Sequence, residues 1–284
     1  MAGAGPDTGL FGAAPTLHPF VTVTDSFSRL SNLRKWNVGV GVLHMAQAVT
    51  ILAISTSFAI PVAATVQTGP PGAPGSLSQR STVFEVRFAW AVALFLLLAA
   101  ADHLLMVTPK VRSWYEANLL KGVNYARWAE YSVSASVMVV LIGLLCGIND
   151  LYAVLAIFGV NASMILCGAV MEHVNVDRPK VTWLPFAVGC VAGVVPWIAI
   201  VLAVVRSSLN GPTNAVPAFV YAIIVVEFVL FNCFALNQWL QYRGRTTGTG
   251  RFADYLYGEK VYLVLSLVAK SALAWLVFGG TLAS

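Results

Sequence analysis

Long stretches without a charged residue alternate with short polar connectors along this chain. Apolar runs lie near residues 36–60, 86–107, 123–147, 150–172, 183–206, 216–242 and 257–282. Each approaches or exceeds the roughly 20 residues that a helix needs to cross a hydrocarbon core of about 30 Å. Strands would present unpaired backbone groups to lipid, and the alternating pattern of a membrane barrel is absent, so each run predicts a helix. The pattern therefore predicts an all-α bundle of seven transmembrane helices. The third and fourth runs stand closest together, with Gly147-Ile148-Asn149-Asp150 supplying a turn and an N-cap. The longest connector, residues 61–85, holds Gly69-Pro70-Pro71-Gly72-Ala73-Pro74-Gly75, which favours turns, with room for short strands on either side, over a helix.

Composition agrees with a membrane protein: 58% of residues are hydrophobic and 10% charged, against roughly 45–50% and 25% in soluble domains. The formal charge of +5 forms no dense cluster, which argues against nucleic acid. Topology explains it better. Of the 17 Lys and Arg residues, thirteen fall at the N-terminal side and in the second, fourth and sixth connectors: Arg29, Arg34, Lys35, Lys110, Arg112, Lys121, Arg127, Arg178, Lys180, Arg243, Arg245, Arg251 and Lys260. Arg80, Arg87 and Arg206 lie on the opposite side, and Lys270 lies within a span. This bias predicts a cytoplasmic N-terminus and an outer C-terminus in a multi-pass cell-membrane protein. Residues 1–35 form the expected cytoplasmic segment, its first 28 residues a Gly-, Pro- and Thr-rich tail or short surface segment, and residues 36–284 the bundle. No basic start precedes a short apolar core, so no cleaved signal is expected. Cys146, Cys167, Cys190 and Cys233 all sit in apolar runs without metal-ligand spacing and read as packing residues. No internal repeat of the transporter kind stands out.

An ionisable group inside the bilayer costs at least about 2.5–3.5 kcal/mol, which makes it a functional candidate. His44, Asp102, His103, Glu130, Glu227 and Lys270 qualify. Lys270 lies about 13 residues into its span, roughly 20 Å deep at 1.5 Å per residue. Burial lowers an amine's pKa and frees a nucleophile able to condense with an aldehyde. A structural ion pair or a proton relay suits the same lysine. Ser266 is one turn earlier on the same face, where its hydroxyl can reach that nitrogen or bond its own backbone. Glu130, one turn from Arg127, is the carboxylate best placed to balance a cation at Lys270; pairing with Arg127 or Lys121 is the alternative.

Depth gives the cluster a direction. His44, His103 and Glu130 lie roughly 7–14 Å from the cytoplasmic boundary and Lys270 lies deeper, so the polar groups predict a hydrated cavity on its cytoplasmic side. Gln47 shares a face with His44 and fits the same space. Asp102 points about 100° away from His103 and is expected at the cytoplasmic interface. Glu227, near mid-span, suits a proton carrier or a neutral carboxyl bonded to another helix. Trp128, Trp197, Phe228, Phe231, Phe234 and Trp275 could surround a conjugated apolar ligand, or simply pack. Gly143-x-x-x-Gly147 and Gly189-x-x-x-Gly193 permit close helix contacts, within one chain or across a dimer.

The segments Arg127-Trp128-Ala129-Glu130-Tyr131-Ser132, Phe158-Gly159-Val160-Asn161-Ala162-Ser163-Met164-Ile165, Val195-Pro196-Trp197-Ile198 and Leu265-Ser266-Leu267-Val268-Ala269-Lys270-Ser271-Ala272-Leu273-Ala274-Trp275 resemble heliorhodopsins, inverted-topology microbial retinal proteins. The likeness runs from about residue 33 to the end. It implies all-trans-retinal bound covalently to Lys270 as a Schiff base, Glu130 as counterion and Ser266 as its neighbour. It also implies that His44, Gln47, His103, Tyr131 and Asn161 line the polar cavity. The activity implied is that of a light-absorbing photoreceptor with a slow photocycle and a sensory or regulatory role, with neither pumping nor enzymatic turnover. A homodimer through the fourth and fifth spans and first outer loop, and an unidentified cytoplasmic signalling partner, complete the expectation. Ala99 stands where the family leads one to expect a hydroxyl, and Asp102 and Glu227 where apolar residues are expected. These departures keep a light-driven or light-gated proton transporter using Glu227 open; a third reading is a non-photoactive transporter with Lys270 and Glu130 as a structural pair.

Overall fold

The computed structural model describes residues 23–73, 79–212 and 215–283; most of the expected N-terminal tail, together with Pro74 and Gly75, lies outside the described residues. Helix α1 spans Val23–Ile54 and is followed by a hairpin of β1 (Ala59–Val66) and β2 (Gln79–Arg87). Then come α2 (Phe88–Met106), α3 (Pro109–Leu120), α4 (Tyr125–Leu145), α5 (Leu151–Asn175), α6 (Leu184–Asn210), α7 (Ala218–Thr247) and α8 (Tyr255–Val277). Among the described residues, seven helices are long and apolar enough to span a membrane, all but α3. α8 continues as a π-turn over Phe278–Leu282.

Helix ends follow local chemistry. Asp150 caps α5 by accepting from the amides of Tyr152 and Ala153 at 3.0 and 3.2 Å, while Gly147 takes φ +86° in the preceding turn. Gly147 is thus a turn residue, whereas Gly189 and Gly193 let α6 close on Cys167 and Met164 of α5 within the chain. Pro109 starts α3, where its missing N–H costs nothing. Asn124 caps α4 and Asp254 caps α8. α1 begins about four turns before the expected span because Leu30 and Leu33 pack on Met106, Tyr115, Leu119 and Leu263.

Neighbouring spans pack in the order α1, α2, α4, α5, α6, with α7 on α8 and α8 on α1, while α6 meets α7 through Trp197 against Phe228 and Phe231. Basic residues gather at one end, called here the basic end, and the β-hairpin marks the other. The hairpin is antiparallel with a bulge at Val62/Ala63. Ala63 N–H donates to Asn149 O at 2.9 Å and Asn149 Nδ2 to Pro61 O at 3.0 Å, pinning the hairpin over the α4–α5 turn. Beneath it lies the main apolar core, including Phe88, Val92, Phe95, Leu96, Leu141, Ile142, Leu273 and Val277.

Candidate functional site

Lys270 stands on α8 with its side chain 4% exposed. Its Nζ lies 3.0 Å from Ser266 Oγ and 3.3 Å from Glu130 Oε2. One helical turn separates Ser266 from Lys270, and α4 brings Glu130 to the same point. Tyr131 adds its ring face 4.7 Å from Nζ, a distance at which a cation is attracted to the ring quadrupole. Its hydroxyl donates to Tyr262 O at 3.1 Å, which fixes the ring. Glu130 does not pair with Arg127: that guanidinium is held by Glu172 and Glu259.

A cavity of about 740 Å³ opens beside Lys270, within the roughly 300–1,000 Å³ range of ligand pockets. Its walls come from α4 to α8, with Trp128, Tyr131, Trp197, Phe228, Phe231 and Phe234 supplying the aromatic surface. Trp197 meets Phe228 and Phe231 edge-on, at centroid distances of 5.2 and 5.7 Å. Val225, Phe228 and Val229 also face outward, so the cavity reaches the bundle surface between α6 and α7. Gly168 leaves room for Trp128; a Cβ there would come 2.4 Å from the indole. An elongated, conjugated, apolar aldehyde fits this combination of one buried amine and an aromatic cleft, so the residues present suit the retinal implied by the sequence.

His44 and His103 are both buried and stack at 5.9 Å. His103 Nδ1 lies 3.0 Å from Asn37 Oδ1. Both nitrogens of His44, Nε2 of His103, Oε1 of Glu130 and Ser134 Oγ are buried without a protein partner, the kind of atom that internal water solvates. A second, small chamber at the basic end is lined by Asn37, Asp102, His103, Tyr115, Asn124, Arg127, Tyr131, Glu259, Tyr262 and Leu263. Asp102 therefore shares a space with His103, contrary to the expectation that it faces the interface. Adjacent residues diverge by about 100°, but α3 folds over this end of α2 and encloses both.

Four other residues fall elsewhere. Gln47 turns away from the histidines and accepts from Trp275 Nε1 at 3.0 Å. Trp275 is 40% exposed and meets Phe278 edge-on instead of walling the cavity. Asn161 donates to Ser136 Oγ at 3.0 Å, joining α5 to α4 outside both cavities. Glu227 is fully buried, with both carboxyl oxygens unpaired.

Sequence reasoning missed Glu172 and Glu259. Each lies near the basic end of its span, where a carboxylate looks interfacial, yet both are buried. Glu172 also accepts from Trp128 Nε1 at 2.7 Å, from Asn124 N at 2.9 Å and from Tyr255 Oη at 3.2 Å. Glu259 accepts from Asn124 Nδ2 at 2.7 Å. The available signal was Arg127: a buried guanidinium has to find carboxylates on facing helices.

Among solved structures, the chain is similar to a cyanorhodopsin from the cyanobacterium Tolypothrix sp. NIES-4075, with a TM-score of 0.56 and 14% identity over 89% of this chain and 92% of that one. It is also similar to a light-driven proton pump from Leptosphaeria maculans, with a TM-score of 0.56 and 17% identity over 91% and 96%. At such identities these two likenesses establish the fold alone. No curated protein matches the sequence. The Heliorhodopsin family pattern matches residues 33–282, which takes in most of the first span, the six others, the hairpin and Lys270, and the chain accordingly belongs to the heliorhodopsin family.

Proposed function

We propose that this protein is a retinal-binding photoreceptor with a slow light cycle and a sensory or regulatory output, oriented with its basic end in the cytoplasm. The observation that carries this reading is Lys270 Nζ, held between Ser266 and Glu130 at the wall of the aromatic cavity. Bound all-trans-retinal would supply visible absorption and a light-driven bond rotation at the linked nitrogen. Lys270 holds the link. Glu130 balances the positive charge on that nitrogen, Ser266 accepts its hydrogen bond, and Tyr131 keeps the neighbourhood dry on one side. Trp197, Phe228 and Phe231 confine the apolar end. Buried polar groups near His44 and His103 can hold a displaced proton on the basic side, and a closed chamber from which it returns supports a slow cycle.

The distribution of basic residues supports a cytoplasmic basic end. A homodimer through α5, α6 and the hairpin, with a cytoplasmic signalling partner at the basic end, belongs to the same reading and rests on the likeness to heliorhodopsins.

Membranes supplied with all-trans-retinal should gain a visible absorption band, and Lys270→Ala should lose it. A band that persists in Lys270→Ala and resists hydroxylamine would overturn the attachment. Glu130→Gln should move the band to the red, because removing the fixed negative charge lets positive charge spread along the polyene; an unchanged band would remove Glu130 from this role.

One observation favours a second reading. Glu227 is a buried acid without a partner, and an intramembrane carboxyl can carry protons. Light-driven or light-gated proton transport through Glu227 would give a sustained photocurrent in voltage-clamped cells, abolished by Glu227→Gln. Silence at both polarities would reject it.

A further inference from the structure

Asp102 takes no part in the centre around Lys270, yet an acid in a span carries a substantial insertion cost. Its side chain is 13% exposed, and its Oδ2 lies 3.8 Å from His103 Nδ1, too far for a hydrogen bond. Titratable and charged groups face its chamber from every side: His103 on its own helix, Tyr115 on α3, Arg127 and Tyr131 on α4, and Glu259 and Tyr262 on α8. Asn37 on α1 and Asn124 complete the polar wall.

Two features join this chamber to Lys270. Tyr131 walls both cavities and has Lys270 Nζ 4.7 Å from its ring. His103 stacks on His44, and three of the four nitrogens of these two rings lack a protein partner. Imidazoles with free nitrogens can take a proton at one position and release one from the other.

Charge singles out the destination. Arg127 is committed to Glu172 and Glu259. Asp102 has no Lys or Arg within ion-pair distance among the described residues. A proton placed on Asp102 therefore removes a buried charge without breaking a salt bridge, whereas a proton on Glu172 or Glu259 would strip a partner from a buried guanidinium.

Building on the reading of Lys270 as the retinal-bearing lysine, we propose that Asp102 accepts the proton released from the Lys270 nitrogen on illumination, by way of His44 and His103, and that its neutralisation is transmitted to α3 through Tyr115. The N–H bond breaks with its electron pair left on nitrogen, and an O–H bond forms at Asp102. One cation and one carboxylate become neutral, and net charge is conserved. α3 is suited to respond because Tyr115 and Leu119 are its only buried residues, with the Arg34–Glu116 pair as an outer tie.

The test uses full-length protein in lipid. In the retinal-loaded form, infrared difference spectra should gain a carboxylic-acid C=O band under light. The band should be lost in Asp102→Asn, shifted in Asp102→Glu and kept in Glu227→Gln. Amide hydrogen exchange in α3 should quicken at least about two-fold under light, and Tyr115→Phe should reduce that response. In the dark and without retinal, Asp102→Asn alone should already speed α3 exchange, since asparagine mimics the neutral acid. A carboxyl band that survives Asp102→Asn, or that disappears only in Glu130→Gln, overturns the acceptor role. Unaltered α3 exchange in Asp102→Asn overturns the coupling. Failure of the chain to form any pigment would instead refute the reading of Lys270, and the dark exchange experiment would still decide whether Asp102 acts on α3.

Discussion

Lys270 divides the bundle into two unlike halves. Towards the hairpin the interior is Phe88, Val92, Phe95, Leu96, Leu141, Ile142, Leu273 and Val277. Towards the basic end it holds Asn37, His103, Asn124, Arg127, Glu172, Glu259 and other polar groups. In lipid the first half is held by close packing, because the surrounding chains are as apolar as the side chains themselves. The second has to be satisfied bond by bond. The contrast gives the site a direction: polar groups able to take a proton from Lys270 lie on the basic side and hydrocarbon on the other, where Glu227 stands isolated.

The comparison can be broken first at Arg127. Arg127→Ala leaves Glu172 and Glu259 buried without their cation and should cost about 3–5 kcal/mol, read as a large drop in thermal midpoint in detergent or nanodiscs. A loss under about 1 kcal/mol would mean that the two acids are neutral and the network is held by hydrogen bonds alone. Next comes Leu96→Ala in the apolar half, expected to cost about 2–4 kcal/mol through the cavity it leaves. Its effect on colour should be slight, whereas Arg127→Ala should alter colour as well as stability. Equal spectral effects would abolish the distinction between the halves. The smallest expected effect is at the boundary with the hairpin: Asp150→Ala removes a helix cap worth about 1 kcal/mol and should loosen the α4–α5 turn, measured by faster exchange at Tyr152 and Ala153, without moving the absorption band.

Much of this architecture was legible in the sequence because crossing a membrane imposes length and hydropathy on every span. The pairing of Lys270 with Glu130 and Ser266 was equally accessible: Ser266 precedes the lysine by one turn, and depth along α4 placed Glu130 on the right side. Elements governed by contacts between helices were not. α3 has too little apolar surface to register as a helix by hydropathy, and α1 starts early because Leu30 and Leu33 find partners on α3 and α8. Glu172 and Glu259 are buried by their bonds to Arg127 across the bundle, and nothing in their own neighbourhoods announces that pairing. Gln47 was placed on the right face of α1 for the histidines, but Trp275 competes for it from α8.

Gly168 is a single hydrogen where every other residue would carry carbon, and what occupies that space is the indole of Trp128. The same ring forms part of the cavity wall and donates to Glu172. An object wedged between two compartments couples them mechanically: any shift of the charge network pushes on the cavity, and any strain in the cavity pulls on the network. Adding one methyl group at position 168 would displace that wedge and change both compartments together, although the residue itself carries no charge and absorbs no light.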